Sequence, residues 1–270
     1  MKRIYRVLVN IVAALMICVC AAGLTACEDI KKVEVRFTAN GSEYTLNLDL
    51  YRHLAPKTVD ALIGFINDGY YNDAVFYMMD GYSSQIMVGD YKANGKELVQ
   101  NKALPEIYGE FNSNGTTGSD LSAVKGSVGM WRTWYEGSSY TTSTAGNTAN
   151  GAWFIPTGDL SKYDGYFCIF AKYDTENTAN SEAITALTDL FSSSESYDEY
   201  YIYYTGEYDS AKASENYGLT FHCVKDEDYN ADDESIFKAD EEKGELVRYN
   251  STKVKLPVNF SAKIDSVKVK

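Results

Sequence analysis

The 270-residue chain has only two histidines and five cysteines to offer for nucleophilic or metal chemistry. Its two histidines, His53 and His222, stand in no sequence arrangement with a serine or cysteine nucleophile, and no ligand-spaced cysteines lie near them. Neither a metal centre nor a cofactor is expected. Asp226 to Asp233 is dense in carboxylates. It lacks the alternating Asp/Asn spacing and closing glutamate of a calcium loop, so it reads as a solvated acidic loop. The Ser- and Tyr-rich run Ser192 to Tyr204 has rings that could stack on sugars, but without a strand register it reads as a surface insertion. Cys168 and Cys223 could pair in an oxidising compartment. Because Phe167-Cys168-Ile169-Phe170 has the look of a buried strand, two ordinary core cysteines are the preferred reading.

One cysteine has a clearer chemistry. Lys2, Arg3 and Arg6 precede the apolar run Leu8 to Val19, and Leu24-Thr25-Ala26-Cys27 closes the segment. This is the pattern of a bacterial lipoprotein signal, with cleavage before Cys27 and a lipid on its thiol. A plain secretory peptide or an uncleaved anchor is the alternative, although the apolar run is short for a span. The expected organisation is a signal at 1–26, a tether at 27–32 and a domain at 33–270, the latter carrying an acidic insertion at 192–256. The expected address is the extracytoplasmic face of the cell membrane. Three basic residues and no acidic ones leave with the signal, taking the formal charge from −13 to −16. Such a surface argues against nucleic acid and against docking on anionic headgroups. The lipid would do the holding, and the chain is expected to be a monomer.

The elements that must position any site are mostly strands. Val33 to Phe37 and Tyr44 to Leu50 alternate at period two, and Asn40-Gly41 between them suits a type I′ hairpin turn. Pro56 opens a helix whose Val59, Leu62, Ile63 and Ile66 form one apolar stripe, ended by Gly69. Ala74 to Met79, Tyr82 to Val88, Lys125 to Met130, Gly151 to Ile155 and Phe167 to Ala171 read as further strands. The polar run Tyr135 to Asn150 is a loop. Ser181-Glu182 is expected to cap a second helix, with Ile184, Leu187, Leu190 and Phe191 on one side. Tyr200 to Tyr204 and Leu219 to Val224 look like strands within the insertion, and Val258 to Val269 like the last strand. Many short strands with two helices predict a β-barrel capped at its ends.

Five pieces, in order, resemble the cyclophilin-type peptidyl-prolyl isomerases. Ala55-Pro56-Lys57-Thr58-Val59 is similar to A-P-K-T-V, and Gly69-Tyr70-Tyr71-Asn72 through Phe76 to G-x-Y-x-G…F. Lys125 to Met130 is similar to R-G-x-L-S-M, and Asn147 to Ile155 to N-T-N-G-S-Q-F-F-I. Tyr163-Asp164-Gly165 with Phe170-Ala171-Lys172 is similar to L-D-G-K-H-x-V-F-G-K. The resemblance implies a closed β-barrel, mainly β and capped by two helices, that acts on proline-containing polypeptides. Its chemistry is rotation about an X–Pro bond against a barrier near 20 kcal/mol. A guanidinium over the proline nitrogen favours the twisted state.

Several of the family's site letters differ here. The arginine position holds Met78, preceded by Tyr77. A methionine cannot donate, and losing such a donor costs about 3–4 kcal/mol, or two to three decades of rate. The family's glutamine falls at Gln85 or Met87, with Gly89-Asp90 as anchor favouring Met87. Ala152 stands for the glutamine before the paired aromatics, Phe167 for the histidine after D-G-K, and Lys162 for a tryptophan some members carry. The implied apolar cup is Phe76, Met130, Phe154 and Phe167, with Met78 or Met87 filling space and Trp131 and Trp134 near the rim. Arg132 is the candidate substitute cation, the alternative being a solvated arginine on the following loop. The expected function is a lipid-anchored isomerase of reduced activity assisting secreted or surface proteins. The alternative is an inactive module that binds proline peptides or a protein partner.

Overall fold

The computed structural model describes residues 29–116, 121–132, 146–205, 220–230 and 251–270. The expected signal segment, Cys27, Trp134, most of the loop after Arg132 and the centre of the expected insertion lie outside the described residues. Among the described residues, no helix is long and apolar enough to cross a membrane.

Two long strands open the fold, β1 (Ile30–Ala39) and β2 (Ser42–Tyr51). They pair along their whole length through the turn at Asn40 and Gly41, both at positive φ as a type I′ turn requires. Strand β1 starts inside the stretch expected to be a tether, because Ile30, Lys31 and Lys32 pair with Tyr51, Leu50 and Asp49. Helix α1 (Pro56–Asn67) follows, burying Thr58, Val59, Leu62 and Ile66. Its N-cap residue, Ala55, has no capping side chain. The buried Glu110 carboxylate does that work from a distant loop, accepting from the backbone N–H groups of Lys57 (3.0 Å) and Thr58 (2.8 Å).

Next come β3 (Met78–Met79), β4 (Gln85–Val88), β5 (Tyr91–Asn94), β6 (Glu97–Gln100), β7 (Ser127–Met130), β8 (Trp153–Pro156) and β9 (Ile169–Lys172). Helix α2 (Thr178–Asp189) starts before Ser181, since Asn177 supplies the cap by accepting from the Asn180 N–H. Buried Asn180 in turn accepts from the backbone of Asn47 at 2.8 Å, pinning α2 to β2. The chain ends with β10 (Tyr197–Thr205), β11 (Thr220–Lys225), β12 (Ser251–Pro257) and β13 (Ala262–Val269).

Seven strands form one curled sheet in the order β13-β1-β2-β9-β7-β8-β4. Its two ends are joined by the segment 74–77, the first part of the stretch Ala74 to Met79 expected as one continuous strand. The Ile264 N–H donates to Ala74 and the Phe76 N–H to Ala262 on one side, while Tyr77 exchanges both backbone bonds with Met87 on the other. Only Met78 and Met79 go on to form a strand, and they leave the ring to pair with β12. There they edge a second sheet of order β11-β10-β12-β3, whose other three strands lie between Tyr197 and Pro257.

Side chains alternate across the curled sheet, giving two apolar clusters. The inner one gathers Phe37, Leu46, Phe76, Ile86, Met130, Trp153 and Phe170 with the apolar faces of both helices. The outer one gathers Tyr77, Met87, Phe154, Phe167 and Ile169 with Ile202, Val254 and Leu256 of the added sheet. Cys168 is buried with its thiol 3.4 Å from the Thr58 hydroxyl, and burial pushes that thiol's pKa up to about 12. Both Cys168 and Cys223 are free thiols.

Replacing Glu110 with alanine strips α1 of both its acceptors. A loss of about 1–3 kcal/mol is expected, read in urea as a lower midpoint with an unchanged slope.

Candidate functional site

On the outer face a cavity of about 140 Å³ opens between the turn before β4, the end of β7, β8 and the loop entering β9. It is smaller than the ~300–1,000 Å³ of sites for drug-sized ligands, so it suits one ring better than a large molecule. Trp131, Phe154, Phe167 and Tyr82 are its aromatic walls. Phe154 meets Phe167 edge-on at 5.4 Å between centroids, and Tyr82 meets Trp131 the same way at 5.6 Å. Trp131 stacks on Phe167 at 6.0 Å and 20°. Such mutual contacts fix the walls before any ligand arrives.

Phe154 can lie against the sheet because its β7 neighbour is glycine. A Cβ at Gly129 would come within 2.4 Å of the Phe154 ring and 2.8 Å of Ile169. The polar lining comes from Ser83, Ser84, Gln85 and Lys162. Gln85 is 5% exposed, and its amide nitrogen has no hydrogen-bond partner among the described residues. A buried donor in that condition costs about 1–3 kcal/mol.

The strand period sorts the expected site residues. Phe154, Phe167, Trp131 and Gln85 come together around the cavity. Met87 and Ala152 lie in the outer cluster but do not line it. Phe76, Met78 and Met130 belong to the inner cluster, on the opposite side of the sheet. Between the two placements considered for the family's glutamine, it is therefore Gln85, not Met87, that faces the cavity.

Arg132 is neither over the cavity nor in solvent. It is 2% exposed, and its Nε donates to the Tyr166 carbonyl at 2.9 Å. The guanidinium lies 4.7 Å from the Phe111 ring centre and 5.4 Å from that of Phe167. Burial lowers its pKa to about 10, which leaves it charged at neutral pH. It stacks behind the Phe167 wall.

Tyr82, Ser83, Ser84, Ala123, Leu160 and Tyr163 also line the cavity, as does Lys162. The turn before β4, which supplies Tyr82, Ser83 and Ser84, carries no motif in the sequence. A signal was present in the loop after β8, where Lys162-Tyr163 directly precedes the Asp164-Gly165 turn. His53 and His222 line no part of it; they sit against Tyr51 and Tyr203. Among the described residues no group of three or more His, Cys, Asp or Glu side chains could hold a metal ion.

A family model described as cyclophilin type peptidyl-prolyl cis-trans isomerase/CLD matches residues 34–197, more than half of the chain. The chain belongs to the cyclophilin family. Among solved structures, this cyclophilin is similar to a cyclophilin type peptidyl-prolyl cis-trans isomerase of Cryptosporidium parvum. The identity is 18% and the TM-score 0.42, covering 61% of this chain and 88% of that one. A second structure of the parasite protein, in the presence of the dipeptide Ala-Pro, matches at 18% identity and TM-score 0.41, over 60% and 88%. No curated protein gives a significant match.

Gly129→Ala is expected to push Phe154 into the cavity. The overpacking should cost about 1–3 kcal/mol of stability, read in urea as a lower midpoint.

Proposed function

We propose that this cyclophilin is a lipid-anchored extracytoplasmic protein that seats proline-containing segments of secreted or surface proteins and isomerises them at a reduced rate. One observation carries the proline-binding part: a preformed aromatic recess walled by Trp131, Phe154, Phe167 and Tyr82 and sized for a single ring. A pyrrolidine ring fills an aromatic cup without needing a hydrogen bond.

The reduced rate follows from where the cations sit. Twisting an X–Pro bond leaves a lone pair on nitrogen, and a donor over it lowers the barrier. At the family's arginine position Met78 packs into the inner cluster, and Arg132 is sealed between Phe111 and Phe167. Without such a donor the expected loss is about two to three decades of rate. The same two placements favour the second reading, a module that holds proline segments without turning them. The membrane address rests on the sequence around Cys27.

A protease-coupled assay on a proline tetrapeptide, run with the full chain in neutral detergent, separates the two. Turnover about a hundredfold or more below an arginine-bearing relative, abolished by Phe154→Ala, is the expected result; binding with no turnover supports the holder. Met78→Arg should not restore rate. It places a charge in the inner cluster and should destabilise the fold by several kcal/mol, lowering the melting temperature. Metabolic labelling with a radioactive fatty acid should mark the wild-type chain and leave Cys27→Ser unmarked; label on the variant would remove the anchor.

A further inference from the structure

The cavity offers a positive charge and hydrogen-bond donors, and no carboxylate lines it among the described residues. The donors are the Ser83 and Ser84 hydroxyls and the Lys162 ammonium. The Lys162 nitrogen lies 4.7 Å from the centre of the Tyr163 ring, a cation–π contact that favours holding the side chain at the cavity. None of the ion pairs among the described residues involves Lys162. The nearest carboxylates along the chain are engaged in fixing their own loop. Asp159 accepts from the Ser161 N–H at 2.8 Å, and Asp164 from the Ala123 N–H at 2.8 Å and from the Ser122 hydroxyl. A cationic recess on a chain of net charge −13 is a local exception to its acidic field.

We infer that the cavity selects proline segments with a carboxylate next to the proline, and that Lys162 determines this preference. The inference rests on the proline-binding reading above and names its substrate class. With the pyrrolidine against Phe154 and Phe167, the adjoining residue lies one extended step of ~3.5 Å along the peptide. That is within the sweep of a four-carbon lysine stem. The carboxylate can be an Asp or Glu side chain or the C-terminus of the peptide, since both present the same acceptor.

The test compares four peptides on the full chain in neutral detergent: Ala-Ala-Pro-Glu amide, Ala-Ala-Pro-Gln amide, Ala-Ala-Pro free acid and Ala-Ala-Pro amide. Titration calorimetry should find one or both carboxylate peptides binding ~2- to 5-fold tighter than the matched amide, the range of a partly exposed ion pair. The Glu pair reports the side-chain source and the free-acid pair the chain end. This ratio should fall to about one in Lys162→Gln, persist in Lys162→Arg, and shrink in 0.5 M salt as screening shortens the field's reach. Equal binding of all four peptides, or a preference that survives Lys162→Gln, overturns the inference and leaves the proline-binding reading standing. Failure of all four to bind overturns both.

Discussion

Successive residues of a strand leave opposite faces of the sheet, and the whole site hangs on that constraint. Around the ring of strands it divides the apolar residues into an inner cluster under the two helices and an outer one beneath the added sheet. Ile86 and Val88 go in while Gln85 and Met87 go out; Trp153 goes in while Phe154 goes out. A slip of one residue in β4 or β8 would exchange a dry core for a binding face. The inner face, being full, holds the register for the outer one.

That division also explains the fate of the cations. Met78 shares its face with Phe76, so the position is committed to packing, and the pairing of β3 with β12 fixes it there. Arg132 has gone the other way, into an aromatic slot behind Phe167. Desolvating a guanidinium is costly, and two ring faces plus the Tyr166 carbonyl offset part of it. Its charge props a wall of the cup instead of reaching over it. Lys162, at a position where the motif alone suggested only a missing tryptophan, becomes the cation that reaches the cavity.

The acidic stretch between Tyr197 and Pro257 is more than surface decoration. Its strands put Ile202, Val254 and Leu256 onto the barrel, so the outer cluster is shared between the ring and the added sheet. The tyrosine run divides in the same way, with Tyr200 packed against that cluster. Backbone pairing at Met78 and Met79 ties the two sheets together beside the site.

Local chemistry in the sequence determined the opening hairpin, the existence of both helices, most of the strands and, through five ordered motifs, the family. Turn residues, Pro56 at a helix start and alternating apolar runs act over a few positions, so they can be read without coordinates. Tertiary structure alone decided which members of the expected cup face the same space. Phe76, Met130 and Phe154 look alike in sequence, and only strand register assigns the first two to the interior. It also decided that Glu110 caps α1 from more than 50 residues away, that Arg132 is enclosed, and that Gln85 rather than Met87 reaches the cavity. Those facts depend on packing between segments distant in the chain, which no local pattern of residues encodes.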